Sequence, residues 1–488
     1  MRYFQLFLFL GMFHFTVFSQ TRETWEFSLI TSNDLYLIDI INHNNQLFIS
    51  GWKRIPESNY QKGFVYKLTE SGQLVDSTFL SKTDTAILMS NFLNGKNEKL
   101  ILSYVFSDTT PNHTNSGFCL EKIDTLLSLS DIKQFPFPSN FGKVNLFIRY
   151  SLDSSILVSG AYYNPYTPRM YIYNTSYKFD SIKARYYPNA NNIYCMDIKQ
   201  LSNKSYWLIQ ANHSKYVLID SSLNLISSSQ GAIPRWIKGN YGIKWDSDTS
   251  FYLVGDYIAN LSRFTDHDLG FFHQFDPFDS TNIVFNSWQA NDTVDFPAFF
   301  GALDYTNKDS IYIGGIKNMV LYDPWFGKQP SWYVLLQTDS MLNIRWERFY
   351  GGDACYNMTK LIATSDGGCI MAGTRFDFKE HPMVRERDIY ILKVNSEGLI
   401  TSNGKVSSIV HEAIVYPNPG KEYLKVRVGV QHKQSTVKLF DITGRMILKN
   451  TIEGTSAIIN TQFLKSGTYV YTITNNNGLN EIGKWVKE

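Results

Sequence analysis

Short apolar runs that end in a small or polar residue recur along most of the chain. Each follows a polar turn, and a second run rich in β-branched and aromatic residues comes after it, which is typical of strands joined by hairpins. Seven such runs, spaced about 50 residues apart, form an internal repeat. They occupy residues 47–51, 100–103, 156–160, 206–210, 251–255, 311–315 and 369–373. The repeating unit is therefore two hairpins, or four strands.

This repeat predicts a closed ring of small sheets. Seven four-stranded units account for residues 25–400. Separate open sheets would leave strand edges exposed, and a radial arrangement protects them. We therefore predict an all-β fold with a β-propeller of about seven blades. Two packed β-sandwich domains, or a ring of six or eight blades, would give similar local patterns and stay as alternatives.

The last part of the chain, residues 414–488, has the pattern of a separate small β-sandwich. The run 423–428 alternates apolar and charged residues with period two, and Gly444 lies between two apolar stretches as the turn of a hairpin. Residues 401–413 before it lack a strand pattern and contain Ser, Asn and Gly, which predicts a linker.

The order of elements in residues 414–488 resembles the type A C-terminal sorting domain of type IX secretion cargo in the Bacteroidetes. The matching positions are Tyr416, Pro417, Asn418, Pro419, Gly444, Arg445, Gly467, Tyr469 and Lys484. The resemblance implies binding by an outer-membrane translocon and removal by a sortase-like protease. The mature protein would then be released or attached to the cell surface. An ordinary terminal immunoglobulin-like domain with no sorting role is the alternative.

The N-terminus agrees with export. Met1-Arg2 precedes an apolar stretch over residues 3–17, which predicts a signal peptide over residues 1–19. No later run reaches the roughly 18 apolar residues that a spanning helix needs. We therefore expect no transmembrane segment, and a protein that is secreted or held at the outer-membrane surface after passing through the periplasm.

Composition and single residues narrow the chemistry further. With 46 basic and 44 acidic residues the chain offers no bulk charge that would attract nucleic acid. Cys195 and Cys355 occupy like positions in the fourth and seventh units, which predicts that they lie across the ring from one another. No HExxH or CxxC motif is present, so we predict no metal, no cofactor and no catalytic residue. The tryptophans Trp207, Trp236, Trp245, Trp325 and Trp332 could stack on sugars, but packing between blades is the commoner role.

These observations favour a binding function. We expect the propeller to recognise an unidentified glycan or protein ligand, because a rigid ring can present variable loops. The longest candidate loops are 52–62, 106–116, 162–169, 257–268, 318–331 and 375–387. A hydrolase acting on polysaccharide or peptide is the enzymatic alternative, and a structural surface adhesin is the third.

Overall fold

The protein consists of strands and turns, and no α-helix occurs among the residues that the structure describes. The structure is a computed structural model. It describes residues 24–31, 33–54, 61–80, 85–95, 99–108, 116–136, 145–164, 167–180, 182–187, 195–203, 205–210, 215–230, 237–258, 267–276, 279, 281–289, 293–380, 386–401, 410–411, 413–429, 432–476 and 479–488. The predicted signal peptide lies outside these ranges. No helix in them is long and apolar enough to cross a membrane.

Seven antiparallel sheets form the blades. The first blade consists of β2 (Asp34–His43), β3 (Gln46–Arg54), β4 (Gln61–Thr69) and β5 (Leu74–Leu80). The second consists of β6 (Thr85–Asn94), β7 (Leu100–Asp108), β8 (Ser116–Ile123) and β9 (Leu129–Pro136). The third consists of β10 (Asn145–Tyr150), β11 (Ile156–Asn164), β12 (Thr167–Thr175) and β13 (Ile182–Tyr187). The fourth blade consists of β14 (Cys195–Gln200), β15 (Tyr206–Gln210), β16 (Lys215–Ile219) and β17 (Leu225–Gln230). The fifth consists of β18 (Ile237–Trp245), β19 (Phe251–Tyr257), β20 (Asp268–Gln274) and β21 (Ile283–Trp288). In the sixth, β22 (Phe296–Pro297) and β23 (Leu303–Asn307) share the innermost position, followed by β24 (Ser310–Lys317), β25 (Trp332–Thr338) and β26 (Ile344–Gly351).

The seventh blade closes the ring by combining the two ends of the propeller. It contains β27 (Cys355–Ala363), β28 (Cys369–Phe376) and β29 (Asp388–Val394), and its outermost strand is β1 (Trp25–Leu29). The antiparallel register runs from Trp25 opposite Lys393 to Leu29 opposite Ile389. Contacts between neighbouring blades continue around the whole circle, from the first blade to the seventh. The prediction of a seven-bladed propeller is confirmed, and each of the seven apolar runs is the second strand of a blade.

In several blades, the turn between the third and fourth strands accepts a hydrogen bond from the preceding blade. In three blades a leucine takes the left-handed conformation there, at Leu127, Leu223 and Leu342 with φ of 59°, 64° and 62°. This backbone region costs a leucine about 1 to 2 kcal/mol. The cost is offset because all three side chains are buried. In addition, Leu342 O accepts a hydrogen bond of 2.8 Å from Asn286 Nδ2, and Leu223 O accepts one of 2.6 Å from Tyr187 Oη, in each case from the preceding blade.

The C-terminal module is a two-sheet sandwich, as the alternating pattern predicts. One sheet contains β31 (Ala413–Tyr416), β32 (Tyr423–Val428) and β35 (Ser456–Asn460), and the other contains β33 (Ser435–Phe440), β34 (Met446–Ile452), β36 (Gly467–Thr474) and β37 (Asn480–Lys487). Its core is centred on the fully buried Trp485 and the side chains of Leu424, Val437 and Ile473.

The end of the predicted linker differs from the expectation. Val410–His411 forms a short strand, β30, which pairs with Tyr350 and Phe349 on the outer strand of the sixth blade. Ala413 already belongs to β31 of the module. Sequence alone could not predict this, because two residues carry no periodic pattern. Residues 402–409 lie outside the described ranges.

The cysteines follow the predicted geometry. Cys195 and Cys355 are the first residues of β14 and β27, the innermost strands of the fourth and seventh blades. Cys369 lies opposite Ala363 in the seventh blade. Cys119, Cys355 and Cys369 are buried and form no disulfide within the described residues, and burial raises the pKa of both Cys355 and Cys369.

Candidate functional site

Residues 416–419, at the start of the C-terminal module, and its terminal strand β37 form one structural unit. The side chain of Asn418 bridges to β37 in both directions, since its Nδ2 donates to Lys484 O over 2.8 Å and its Oδ1 accepts from Val486 N over 2.9 Å. Trp485 Nε1 donates to Pro417 O over 2.8 Å. The asparagine side chain thus provides the pairing that proline, which lacks an N–H, cannot make.

The remaining motif positions lie at the same end of this sheet. Gly444, with φ of 83°, belongs to the turn that follows β33, while Gly467 begins β36 opposite Lys487 near the end of β37. Hydrogen bonds from Thr443 hold the pKa of Asp441 below its usual range, and Arg445 Nε also donates to this carboxylate over 3.2 Å. Tyr469 Oη donates to Lys465 O over 2.8 Å. The structure therefore brings the separate motif pieces together around the C-terminus.

The other sheet of the module is docked on the propeller through a buried arginine. Arg427 of β32 reaches the outer strands of the fifth and sixth blades, where its Nη2 lies 3.3 Å from Glu347 Oε2 and its Nη1 donates to Gln289 O over 3.2 Å. Its guanidinium carbon lies 4.6 Å from the ring centroid of Trp288, whose Nε1 donates to the same Glu347 oxygen. The Arg427 and Glu347 side chains are only 5% and 0% exposed.

A second layer of the interface surrounds Tyr416. The Lys317 ammonium lies 4.8 Å from the Tyr416 ring centroid and 3.9 Å from Asp295 Oδ1, and both charged side chains are fully buried. Burial raises the pKa of Asp295, and the neighbouring Lys317 only partly opposes this. Tyr416 and Ile414 belong to the same apolar cluster as Trp332 and Tyr333 of the propeller. The motif residue Tyr416 therefore packs against the propeller.

A cleft of about 880 Å³ lies between the module and the sixth and seventh blades. One wall is the segment 414–419 with Tyr423 and Tyr471, and the opposite wall includes Trp332 and Tyr390 of the propeller. Three cationic side chains and three anionic side chains line it: Lys328, Arg375, Lys379, Glu26, Asp353 and Asp388. The cleft is thus lined by aromatic groups and by balanced charges.

Arg375 organises the polar part of this cleft. Its Nε donates to Tyr356 Oη over 3.2 Å, and its Nη2 donates to Asp353 over 2.9 Å and to Asp377 over 2.8 Å. Tyr356 Oη in turn donates to Asp353 Oδ1 over 2.7 Å. Burial would raise the pKa of Asp353, but the hydrogen bonds from Tyr356 and Arg375 outweigh it and hold the pKa below its usual range.

The central channel is a second cavity, of about 530 Å³, to which the innermost strands of all seven blades contribute. Ion pairs between neighbouring blades line it. Arg149 Nη2 donates to Asp197 over 2.8 Å, Lys360 donates to Asp39 over 2.6 Å, and Lys244 pairs with Asp304. In the described channel, each of these three carboxylates is thus matched by a cation from an adjacent blade.

The loop 318–331 closes over one side of the ring. Its Trp325 contacts Tyr36 of the first blade and Phe299, with ring centroids 4.6 Å and 4.4 Å apart. The guanidinium of Arg387 lies among Tyr36, Trp52, Trp325 and Phe326 and forms two hydrogen bonds with Asp34. Trp245 and Trp332 are likewise packed within the fold. The side chains of Trp207 and Trp236 lie outside the described residues.

Large parts of the other predicted recognition loops also lie outside the described residues, including residues 55–60, 109–115, 259–266 and 381–385. Among the residues that are described, no group of three or more His, Cys, Asp or Glu side chains could hold a metal ion. Asp246 and Asp248, in the turn before β19, form ion pairs with Lys308 and Lys199.

Sequence reasoning missed the docking arginine. Arg427 occupies a polar position in the alternating run of β32, and such a position normally faces solvent. Nothing in the sequence distinguishes it from Lys425 two residues earlier. Glu347 belongs to the stretch 345–348, where polar residues surround Trp346, which gives no signal of complete burial either.

Comparison with known proteins identifies the C-terminal module. Residues 414–488 match the family described as secretion system C-terminal sorting domain. No curated protein matches the chain. The module is therefore a sorting domain of the type IX secretion system.

Solved structures resemble the chain only distantly. Virginiamycin B lyase from Staphylococcus aureus is 12% identical, with a TM-score of 0.41 over 76% of this chain and 99% of that chain. YCF48 from Cyanidioschyzon merolae is 10% identical, with a TM-score of 0.40 over 77% and 99% of the two chains. PorZ of Porphyromonas gingivalis, a surface component of the type IX secretion system, is 10% identical, with a TM-score of 0.22 over 95% and 100%. At these values the assignment of the fold rests on strand order and register.

Proposed function

We propose that this chain, a secreted or cell-surface propeller protein with a type IX sorting domain at residues 414–488, recognises an uncharged polar ligand in the cleft beside that domain. The observation that carries the proposal is the lining of the 880 Å³ cleft, where aromatic side chains accompany three cations and three anions. Balanced charge disfavours a strongly ionic ligand. Hydrogen-bonding groups beside aromatic rings suit an oligosaccharide, whose hydroxyl groups donate and accept while its ring faces are apolar.

The polar groups of the cleft are held in place before a ligand arrives. Arg375, Tyr356 and Asp353 fix one another through the hydrogen bonds described above, so little side-chain entropy remains to be lost on binding. Tyr423 is 45% exposed and offers the most accessible ring. This combination of rigid and accessible groups is what a recognition site requires.

Hydrolysis is the rival function. A glycoside hydrolase needs two carboxyl groups about 5 to 9.5 Å apart that act as acid and base or nucleophile. In the channel, Asp39, Asp197 and Asp304 are each held in an ion pair by a cation from an adjacent blade, whereas a catalytic carboxyl group has to contact the substrate. These pairings support a binding role for the protein.

Glycan and peptide arrays probed with the purified full-length protein test the proposal. We expect retention on a defined set of glycans, weakened about three- to tenfold by Tyr423→Ala, because one aromatic contact would be lost. Ile458→Ala is the matched control, since Ile458 is 64% exposed on the same module and does not line the cleft. Silence on every array together with hydrolysis of a polymer would overturn the binding function in favour of the hydrolase. Binding only to further copies of the protein would favour the structural adhesin.

The export function is tested separately. Deletion of residues 414–488 should leave the protein in the periplasm, as measured by immunoblotting of periplasmic and extracellular fractions. Substitution of Asn418 by Ala should weaken export less than the deletion, because it removes two hydrogen bonds to β37 but leaves the module core. Unchanged secretion of the deletion variant would contradict the sorting role.

A further inference from the structure

The docking site of Arg427 has the composition of a specific pocket. Glu347 forms its floor as a carboxylate with no exposed surface, Trp288 forms one wall, and the carbonyl of Gln289 lies at the rim. All three belong to the propeller, whereas the guanidinium comes from the sorting module. The pocket therefore exists on the propeller, and its occupant lies on a different domain.

The chemistry of the pocket favours arginine over lysine. A guanidinium is planar, so it can stack on the indole while its two Nη groups reach different acceptors. Arg427 does this, since one Nη lies against the carboxylate and the other donates to the Gln289 carbonyl. A lysine ammonium is a single point that could not stack and serve both acceptors at these positions.

The neighbouring charges make a cation necessary. Arg427 Nη2 lies 3.3 Å from Glu347 Oε2, whereas Lys317 Nζ lies 3.9 Å from Asp295 Oδ1. If the module leaves, Glu347 loses its guanidinium and becomes solvated only after water enters beside Trp288. Burying a carboxylate without its cation is unfavourable, so the empty pocket would have affinity for another guanidinium.

Other contacts also hold the module, and they are independent of the chain connection. β30 pairs with the edge of the sixth blade, and Ile414 and Tyr416 enter the apolar cluster of the propeller. A cut within residues 402–409 would leave all of these contacts in place. Cleavage of the chain alone would thus not separate the two parts.

We infer that the propeller carries an arginine-recognition pocket formed by Trp288, Gln289 and Glu347, in which Arg427 is a displaceable intramolecular occupant. When the sorting module is displaced, an arginine side chain of another polypeptide takes the same place. This inference does not depend on the ligand of the cleft. It gives the module a second role, as a cover for a binding site.

The first experiment cuts the full-length protein between its two parts. A protease site placed within residues 402–409 allows cleavage after folding, and size-exclusion chromatography then shows whether the fragments stay together. We expect the two fragments to co-elute for the parent and for Ile458→Ala. For Arg427→Ala we expect the dissociation constant of the two fragments to be at least tenfold larger. Arg427→Lys should lie between them. Equal retention of all variants would overturn the inference.

The second experiment measures the pocket in the intact chain. Tryptophan fluorescence is followed while N-acetylarginine amide is added to the parent and to Arg427→Ala. Saturable binding is expected only in the variant, and N-acetyllysine amide should bind at least tenfold more weakly. Should Arg427→Ala fail to fold, the same titration is carried out with Arg427→Lys. We then expect this variant to bind the arginine amide more tightly than the parent does. Equal binding of both amides, or none in any folded variant, would refute an arginine pocket.

Discussion

The central channel and the docking interface both rely on ion pairs between distant parts of the chain, but they place them in different surroundings. In the channel the cations Arg149, Lys244 and Lys360 are 43%, 35% and 26% exposed. At the interface Arg427 and Glu347 are 5% and 0% exposed. In each channel pair the cation thus reaches solvent, although Asp197 and Asp39 are only 3% and 7% exposed, whereas at the interface both members of the pair are desolvated.

This difference determines what each pair contributes. Solvated pairs are screened and contribute about 0 to 1 kcal/mol. Removing one member of a desolvated pair is far more damaging, at about 3 to 5 kcal/mol, because the other charge stays buried. We therefore expect the ring to tolerate changes in its channel, whereas removal of Arg427 should weaken an interface that β30, Ile414 and Tyr416 also hold together.

The largest effect is expected at the interface. Arg427→Ala should lower the free energy of unfolding by about 3 to 5 kcal/mol, because Glu347 loses its cation while still buried. Denaturant titration followed by tryptophan fluorescence measures this. Lys421→Ala is the control, because the Lys421–Glu488 pair is 75% and 53% exposed, and it should change stability by less than about 1 kcal/mol. A small change in both variants would remove the contrast between the regions.

A buried ion pair within the ring shows whether burial or location in the molecule determines the energetic effect of losing a charge. Arg387 and Asp34 join the seventh and first blades and are 5% and 8% exposed. If burial determines the effect, Arg387→Ala should cost about 3 kcal/mol, at the lower end of the range because surrounding aromatic rings can partly fill the space. Thermal unfolding monitored by circular dichroism checks this. A cost near zero would show that burial alone does not explain the interface.

The channel should respond weakly. Lys244→Met removes the partner of Asp304 at a site open to water, so we expect a loss of about 1 kcal/mol or less. Raising the salt concentration should shrink the difference between parent and variant further. A loss comparable to that of Arg427→Ala would contradict the solvated character of the channel.

The smallest effect concerns a buried histidine of the fifth blade. Desolvation lowers the pKa of His273 from its ordinary 6.5, and Ser250 Oγ lies 2.8 Å from its Nε2. The unfolded chain takes up a proton near pH 6.5 and the folded chain only at lower pH, so stability falls as the pH drops through this window. Asp246 opposes the shift and Lys308 supports it. The thermal midpoint should therefore drop more between pH 7.5 and 5.5 in the parent than in His273→Gln; equal drops would contradict the assignment.

The fold of the propeller was predictable because the sequence pattern that indicates each hairpin lies within the residues of that hairpin. Strand period, polar turns and apolar runs such as 311–315 repeat seven times, and each repeat reports its own hairpins. The turn leucines could be located but not their left-handed conformation, since a leucine adopts it only where burial offsets the strain. The pairing of β1 with β29 spans almost the whole propeller, and five residues near the N-terminus contain no sign of their partner.

The docking interface was unpredictable for a related reason. The alternation in β32 correctly gives the strand and its buried face, but it treats the second face as solvent. Arg427 is buried on that face only because another domain covers it. Likewise, the sequence indicates Tyr416 only as a position of the sorting-domain motif, and the structure packs it against Trp332 of the propeller, with ring centroids 6.2 Å apart.

A double-mutant cycle between Arg427 and Glu347 isolates the energy of their contact across the docking interface. The free energy of unfolding is measured for the parent, Arg427→Met, Glu347→Gln and the double variant. We expect a coupling of about 2 kcal/mol or more, with the double variant more stable than the sum of the single losses implies. A coupling within about 0.5 kcal/mol of zero would show that the two residues act independently, and it would contradict an arginine pocket that joins the sorting module to the propeller.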